Sequence, residues 1–250
     1  MWRRCEVEQM TRRQFLSGAA IIGGAGLLGL NSVVQAQPAA TQRGVVPVGE
    51  HKQVPLPFEA GALKGISEEQ ITLHYSRHYS GYIANRNAIE KDLAAMKAGA
   101  EGFDAKKFAG LKRQETFNAC GQILHENYFS VLGGDGQMAA DSPVAAAISR
   151  DFGSQQAWQA DLLATATAAG IGWGVTCYDP GSGRIINFLV ELHQFGAVWG
   201  AVPIVSLDVW EHAYYHDYGP DKGKYFDAFF QNLHWGRINQ AYLKATGGAP

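Results

Sequence analysis

Polar and apolar positions along the chain predict helices first and strands later. Ser67-Glu68-Glu69-Gln70 reads as a capping box, with Ile66 and Ile71 placed as a hydrophobic staple. The helix it opens runs through Ile71, His74, Tyr75, His78, Tyr82 and Ile83 towards Met96, and Ala98-Gly99-Ala100-Glu101-Gly102 breaks it. A second helix over roughly 116–131 stops at Gly133-Gly134-Asp135-Gly136, so the two form a helical hairpin. Residues 143–152 and 155–168 read as further helices, the latter capped by Ser154. The period then shortens to two. Residues 172–178, the turn Asp179-Pro180-Gly181-Ser182-Gly183 and residues 184–189 read as a β-hairpin, with a third strand over 202–207 and closing helices over 225–245. The expected fold class is α+β: an N-terminal helical hairpin domain (53–138), then an α/β domain (139–250) with a small three-stranded antiparallel sheet.

The N-terminus departs from this pattern. Arg12-Arg13-Gln14-Phe15-Leu16 precedes an apolar, glycine-rich stretch from Ile21 to Leu30, and Val34-Gln35-Ala36 supplies small residues for cleavage. Residues 1–36 therefore read as a twin-arginine signal peptide that directs export to the periplasm or beyond, with Met10 as an alternative start. The apolar run is shorter than the ~20 residues a membrane span needs. Residues 37–52 read as a flexible linker, with the folded part beginning near Val54-Pro55-Leu56-Pro57.

Composition narrows the function classes. With 46% hydrophobic and 18% charged residues, 250 residues can bury a substantial core. The formal charge is −2, and removing residues 1–36, with four Arg and two Glu, leaves 17 basic and 21 acidic residues, or −4. No Lys/Arg run gives the footprint of a nucleic-acid binder. Cys5, Cys120 and Cys177 are too few and scattered for a disulfide framework; Cys120 and Cys177 read equally as a disulfide or as buried thiols.

Two patterns among the eight histidines suggest metal chemistry: His74 with His78, and Asp208 with His212, each pair at i, i+4. Imidazole and carboxylate together suit iron, manganese or zinc. Spacing alone admits both His74 and His78 as ligands, and each pair taken alone has a structural reading as a packed, hydrogen-bonded pair.

Three blocks carry a resemblance: His74-Tyr75-Ser76-Arg77-His78-Tyr79-Ser80-Gly81-Tyr82, Leu124-His125-Glu126-Asn127-Tyr128-Phe129, and Asp208-Val209-Trp210-Glu211-His212-Ala213-Tyr214-Tyr215. From about Val54 to Lys244 the chain resembles the iron/manganese superoxide dismutases. The resemblance implies one Fe or Mn ion per subunit held by His74, His125, Asp208 and His212, a water or hydroxide completing the site, and disproportionation of superoxide to oxygen and hydrogen peroxide. It gives His78 the role of a gateway histidine and places Tyr82 beside the solvent funnel, with a proton route through both. It also implies a homodimer in which Glu211, His212, Tyr215 and His78 meet across a twofold axis, with a tetramer as the alternative. Trp173, Trp210, Tyr128 and Phe129 match an aromatic wall around the metal.

Departures from the family pattern are local. The glutamine that many members place four residues before the second His ligand is Gly121 here, and the alternative position falls at His193-Gln194, where His193 is favoured as the solvent partner. Val175 and His234 stand where Trp and Asn are frequent. The competing readings are a noncatalytic exported metal-binding protein on the same scaffold and a mononuclear iron oxygenase; four protein ligands leave the latter little open coordination.

Overall fold

The computed structural model of the chain describes residues 44–248, so the twin-arginine segment and residues 37–43 of the linker lie outside the described residues. The remainder of the linker is not a free tether. His51 N donates to Asn87 Oδ1 at 2.8 Å while Asn87 Nδ2 donates back to His51 O at 2.9 Å, and Gly49 N donates to Glu90 Oε2 at 2.9 Å. Ordered contacts are thus already made several residues before Val54, because a main-chain clasp needs no apolar periodicity to announce it.

α1 (Glu68–Leu73) starts where Ser67 caps it, Ser67 Oγ accepting from Gln70 N at 3.0 Å. The capping box is only half made. Gln70 Nε2 donates instead to His212 O at 2.6 Å, and Asp217 accepts from both Ser67 N (2.7 Å) and Ser67 Oγ (2.6 Å). The start of the first helix is therefore tied to the 212–217 segment by residues whose local pattern suggested only a cap. The expected single helix to Met96 is interrupted by a π-helical turn, His74–Tyr79, before α2 (Ser80–Ala95). Such a widened turn rotates the following helix face, and its residues include His74 and His78.

α3 (Ala105–Ser130) begins eleven residues earlier than position 116 because Asp104 caps it, its Oδ1 accepting from Lys106 N and Lys107 N. α2 and α3 form the expected hairpin. α4 (Pro143–Phe152) and α5 (Gln155–Ala168) follow, α5 capped by Ser154 through Ala157 N. The sheet has order β2-β1-β3, with β1 (Gly172–Asp179) paired antiparallel to β2 (Arg184–Glu191) and to β3 (Val202–Asp208). A register shift between Thr176 and Cys177 irregularises the β1–β3 ladder. α5 covers the sheet, and Trp158 Nε1 donates to Thr176 Oγ1, which in turn donates to Asn187 Oδ1 across to β2.

After β3 come a 3-10 turn (Glu211–Ala213), α6 (Tyr215–Tyr218), α7 (Lys222–Gln231) and α8 (Trp235–Thr246). The hydrophobic pattern predicts closing helices without giving the position of the break between α7 and α8. That break arises at buried Asn232, whose Oδ1 accepts from Lys64 N at 2.9 Å and whose Nδ2 donates to Lys64 O and to Ala228 O, each at 2.7 Å. One amide thus joins the segment before α1 to the C-terminal helices. Asn232→Ala is expected to lower unfolding free energy by about 2 kcal/mol, because the Lys64 backbone groups lose partners that a methyl group cannot replace. Urea denaturation of the two proteins checks it, and equal midpoints would show that water satisfies those groups.

Candidate metal centre

Four segments deliver four side chains to one point. His74 comes from the π-helical turn, His125 from α3, Asp208 from the last residue of β3, and His212 from the 3-10 turn. Their donor atoms all lie within 4.8 Å of one another. His74 Nε2 and His212 Nε2 each stand 3.2 Å from Asp208 Oδ2, and His125 Nε2 stands 3.8 Å from the same oxygen. Ligands bonded at about 2.1 Å to one ion are spaced in this way. His74, His125 and Asp208 are fully buried.

Hydrogen bonds prepare these atoms for a cation. His125 Nδ1–H donates to Gly121 O at 2.7 Å, which leaves Nε2 with its lone pair facing Asp208. That Nε2 is buried without a hydrogen-bond partner, as is Nε2 of His74. Orphaned buried nitrogens are costly unless an ion takes the lone pairs. Asp208 Oδ1 accepts from Trp210 N at 2.9 Å, so the carboxylate is oriented by backbone while Oδ2 faces the imidazoles. Burial alone would raise the Asp208 pKa, but His212 and His74 outweigh it and hold the carboxyl well below its usual range. Burial lowers His74 to about 4 and holds His125 well below its usual value, so these two are neutral ligands at neutral pH. The donor set, three imidazoles and one carboxylate, fits iron or manganese.

Around the cage, His193 sits where it can act on the site. It lies in the turn just past β2, after Leu192 at φ 52. Trp173 Nε1 donates to His193 Nδ1 at 3.0 Å. The ring must therefore carry its proton on Nε2, which stands 2.7 Å from the Tyr82 oxygen and donates to it. Burial lowers His193 to about 4 and, as the first cause followed by the Asp208 charge, raises Tyr82 above its usual value. A neutral imidazole thus holds a protonated phenol, and Tyr82 is left with its own O–H to donate.

Gly121 makes room for that phenol. A Cβ there would come within 2.8 Å of Tyr82 Cδ1. The absence of a glutamine at this position is therefore coupled to the placement of Tyr82, while its carbonyl orients His125. His78 stacks on His212 with ring centroids 4.1 Å apart. The hydrogen bond of Tyr82 runs to His193, so the expected link between Tyr82 and His78 is not a direct bond among the described contacts. Trp210 stacks on His193 (4.9 Å) and His212 (5.7 Å), while Tyr128 and Phe129 pack against His74 at 4.9 and 5.1 Å. His234 caps α8, its Nδ1 accepting from Arg237 N, a role open to asparagine as well.

Tyr79 and Glu126 were not singled out in the sequence. The Tyr79 ring lies parallel to His125 (centroids 6.3 Å, 8° between planes), and its hydroxyl donates to Glu126 Oε1, which also accepts from Gln122 Nε2. The i, i+4 pair Gln122 and Glu126 on the helix that carries His125 was the available signal. Cys120 and Cys177 are free thiols, and burial pushes Cys177 up to about 12.

Comparison with known proteins bears on the chemistry. The α-hairpin domain of iron/manganese superoxide dismutases matches residues 50–133, and the C-terminal domain of the same enzymes matches residues 140–241. The chain is 39% identical over 200 residues to manganese superoxide dismutase 1 of Haloferax volcanii, covering 80% of this chain and 98% of that protein. It is 40% identical over 199 residues to an iron superoxide dismutase of Cupriavidus metallidurans, covering 78% and 98%.

The buried imidazoles make acid the vulnerability of the metal-free protein. His74, His78 and His193 are each lowered to about 4, mainly by burial, whereas an unfolded histidine titrates near 6.5. Between these values the unfolded chain binds more protons, so stability is full above about pH 6.5 and falls as the pH drops towards 4. The urea midpoint of metal-free protein should decline across that window, and a flat profile would contradict the neutral cluster.

Proposed function

The chain belongs to the iron/manganese superoxide dismutase family, and from that premise we infer that His74, His125, Asp208 and His212 hold the single iron or manganese ion with which it disproportionates superoxide. The observation that carries the assignment is the convergence of three imidazole nitrogens on Asp208 Oδ2, two of them buried without another partner. An iron or manganese ion held by these four residues would supply one-electron chemistry between +3 and +2, enough for one superoxide to be oxidised to oxygen and another, with two protons, reduced to hydrogen peroxide.

The protein's share of the reaction is to supply protons and hold the ligands still. Tyr82 keeps its phenolic proton because burial and the nearby Asp208 charge both disfavour the phenolate. His193 Nε2–H holds Tyr82 Oη, and Trp173 fixes the tautomer that makes this possible. A protein that merely stored metal would have no need of a tautomer-locked imidazole paired with a phenol. The His193–Tyr82 pair therefore favours turnover over the noncatalytic reading. The nitrogen pattern also supports His193, and not Gln194, as the polar partner beside the site, since Gln194 spends its Oε1 on the His193 backbone N–H at 3.3 Å.

Homodimerisation and export belong to the same reading. Glu211 and Tyr215 are exposed beside His212, and His78 is half-buried against it, which leaves a carboxylate, a phenol and an imidazole available to a second copy. Residues 12–16 and the apolar stretch after them support export through the twin-arginine route. A reporter carrying residues 1–36 should leave the cytoplasm only while Arg12 and Arg13 are present; export of an Arg12→Lys, Arg13→Lys pair would refute that route.

Three measurements test the centre. Protein loaded separately with iron and with manganese, and normalised to measured metal, should accelerate superoxide decay with one or both; no acceleration from fully loaded samples would overturn the dismutase assignment. Asp208→Ala and His125→Ala should purify without stoichiometric metal. Tyr82→Phe should keep its metal while losing turnover where proton supply limits, about ten-fold or more, and an unchanged rate and pH profile would remove Tyr82 from the proton route.

A further inference from the structure

Gln70 stands one helical turn before His74 and is almost as deeply buried, at 1% exposure. Its amide already has one task, Nε2 donating to His212 O at 2.6 Å. A main-chain carbonyl can only accept, so the end of the amide that faces it is the NH2 group and Oε1 is the free end. That oxygen is buried and has no donor among the described residues. A buried carbonyl left in this way is costly.

His74 has the opposite need. Its Nε2 stands 3.2 Å from Asp208 Oδ2 inside the four-residue cage, so ligation there requires the lone pair on Nε2 and the proton on Nδ1. Nδ1 is also buried without a partner among the described residues. His125 shows what such a nitrogen ordinarily does, its Nδ1–H donating to Gly121 O at 2.7 Å. The helix brings the unmatched donor and acceptor to one face. His74 N donates to Gln70 O, so the step from 70 to 74 is a full α-turn, and side chains at i and i+4 are neighbours about 5–6 Å apart at Cβ. The other buried groups without partners outside the cage, on Asn118, Asn127 and Ser206, belong to α3 and β3.

We propose that Gln70 is a positioning residue for two of the four candidate ligands: Oε1 accepts the hydrogen bond of His74 Nδ1–H, directly or through one buried water, while Nε2 holds the main chain of His212. The proposal rests on the assignment of His74 as a ligand and extends it. One amide then fixes the tautomer and ring plane of the first imidazole and the backbone that carries another. The half-made capping box at Ser67 gains a reason, since Gln70 turns from the helix start to serve the centre.

Gln70→Met and Gln70→Glu separate the two tasks. Both lose the donor to His212 O, and only Gln70→Glu keeps an acceptor oxygen; methionine nearly conserves the buried volume, and circular dichroism checks the fold. The iron(II)-loaded proteins are compared by proton NMR in water and in deuterium oxide, where ring N–H protons of iron-bound imidazoles are shifted far from other signals and are recognised by exchange with solvent. One such signal should move and exchange faster in Gln70→Met and be restored in Gln70→Glu. Iron affinity, measured by competition with a chelator, should fall about 10- to 100-fold in Gln70→Met and less in Gln70→Glu. Should Gln70→Met not fold, Gln70→Asn, which withdraws the amide by one methylene, gives the same readout. Unchanged ring N–H signals in Gln70→Met would overturn the proposal. Equal losses in Gln70→Met and Gln70→Glu would also overturn it, assigning the effect to the His212 bond. The absence of iron-shifted ring N–H signals from the unsubstituted protein would instead remove the ligand assignment, and the proposal with it.

Discussion

Asp208 is a carboxylate with no exposure to water, and that single burial governs much of what surrounds it. Removing such a charge from water costs several kcal/mol even after relaxation, and the cost is met only by a partner cation with well-placed hydrogen bonds. Two of its imidazole neighbours, His74 and His125, cannot supply that charge, because burial keeps them neutral. A divalent or trivalent ion resolves both problems at once, satisfying the carboxylate and the orphaned imidazole nitrogens. Metal binding is then part of the folding free energy. The Ser67–Asp217 and Gln70–His212 bonds fit this account: they draw the start of α1 and the 3-10 turn together beside the centre.

The secondary structure serves that convergence more than it serves regularity. A continuous α-helix from Ser67 would present His74 and His78 as equivalent i, i+4 neighbours. The π-helical turn separates their fates: His74 enters the cage with no exposure, and His78 remains half-buried, stacked over His212. The placement of Asp208 at the end of β3 has a similar logic. β3 is buried along its length from Ile204, so its final residue is carried into the interior, and Trp210 N lies two residues further to orient the carboxylate.

Fold class and the four residues of the candidate metal cluster were legible in the sequence for different reasons. The hairpin, the β-hairpin turn at Asp179–Gly183 and the Ser154 cap are local, so propensity and spacing suffice for them. The ligand set rested on the resemblance, since spacing alone left His78 beside His74 as an equal candidate. What stayed hidden depends on contacts between distant segments. Asn232 sets the junction between α7 and α8 by binding Lys64, and Asp217 displaces Gln70 from the capping box. Asn87 pins His51 although the intervening residues look like a tether.

His193 shows where such hidden contacts matter for chemistry. Its identity could be read in the sequence, but its role depends on which nitrogen carries the proton, and that is decided by Trp173, twenty residues away in sequence on β1. With Nδ1 occupied as an acceptor, Nε2 must donate, and Tyr82 must therefore accept and keep a proton to give. Gly121 completes the arrangement from a third element, because any side chain there would collide with the Tyr82 ring. Glycine at 121 and histidine at 193 thus act on one phenol: the space on α3 admits it, and the turn after β2 provides the donor that holds it.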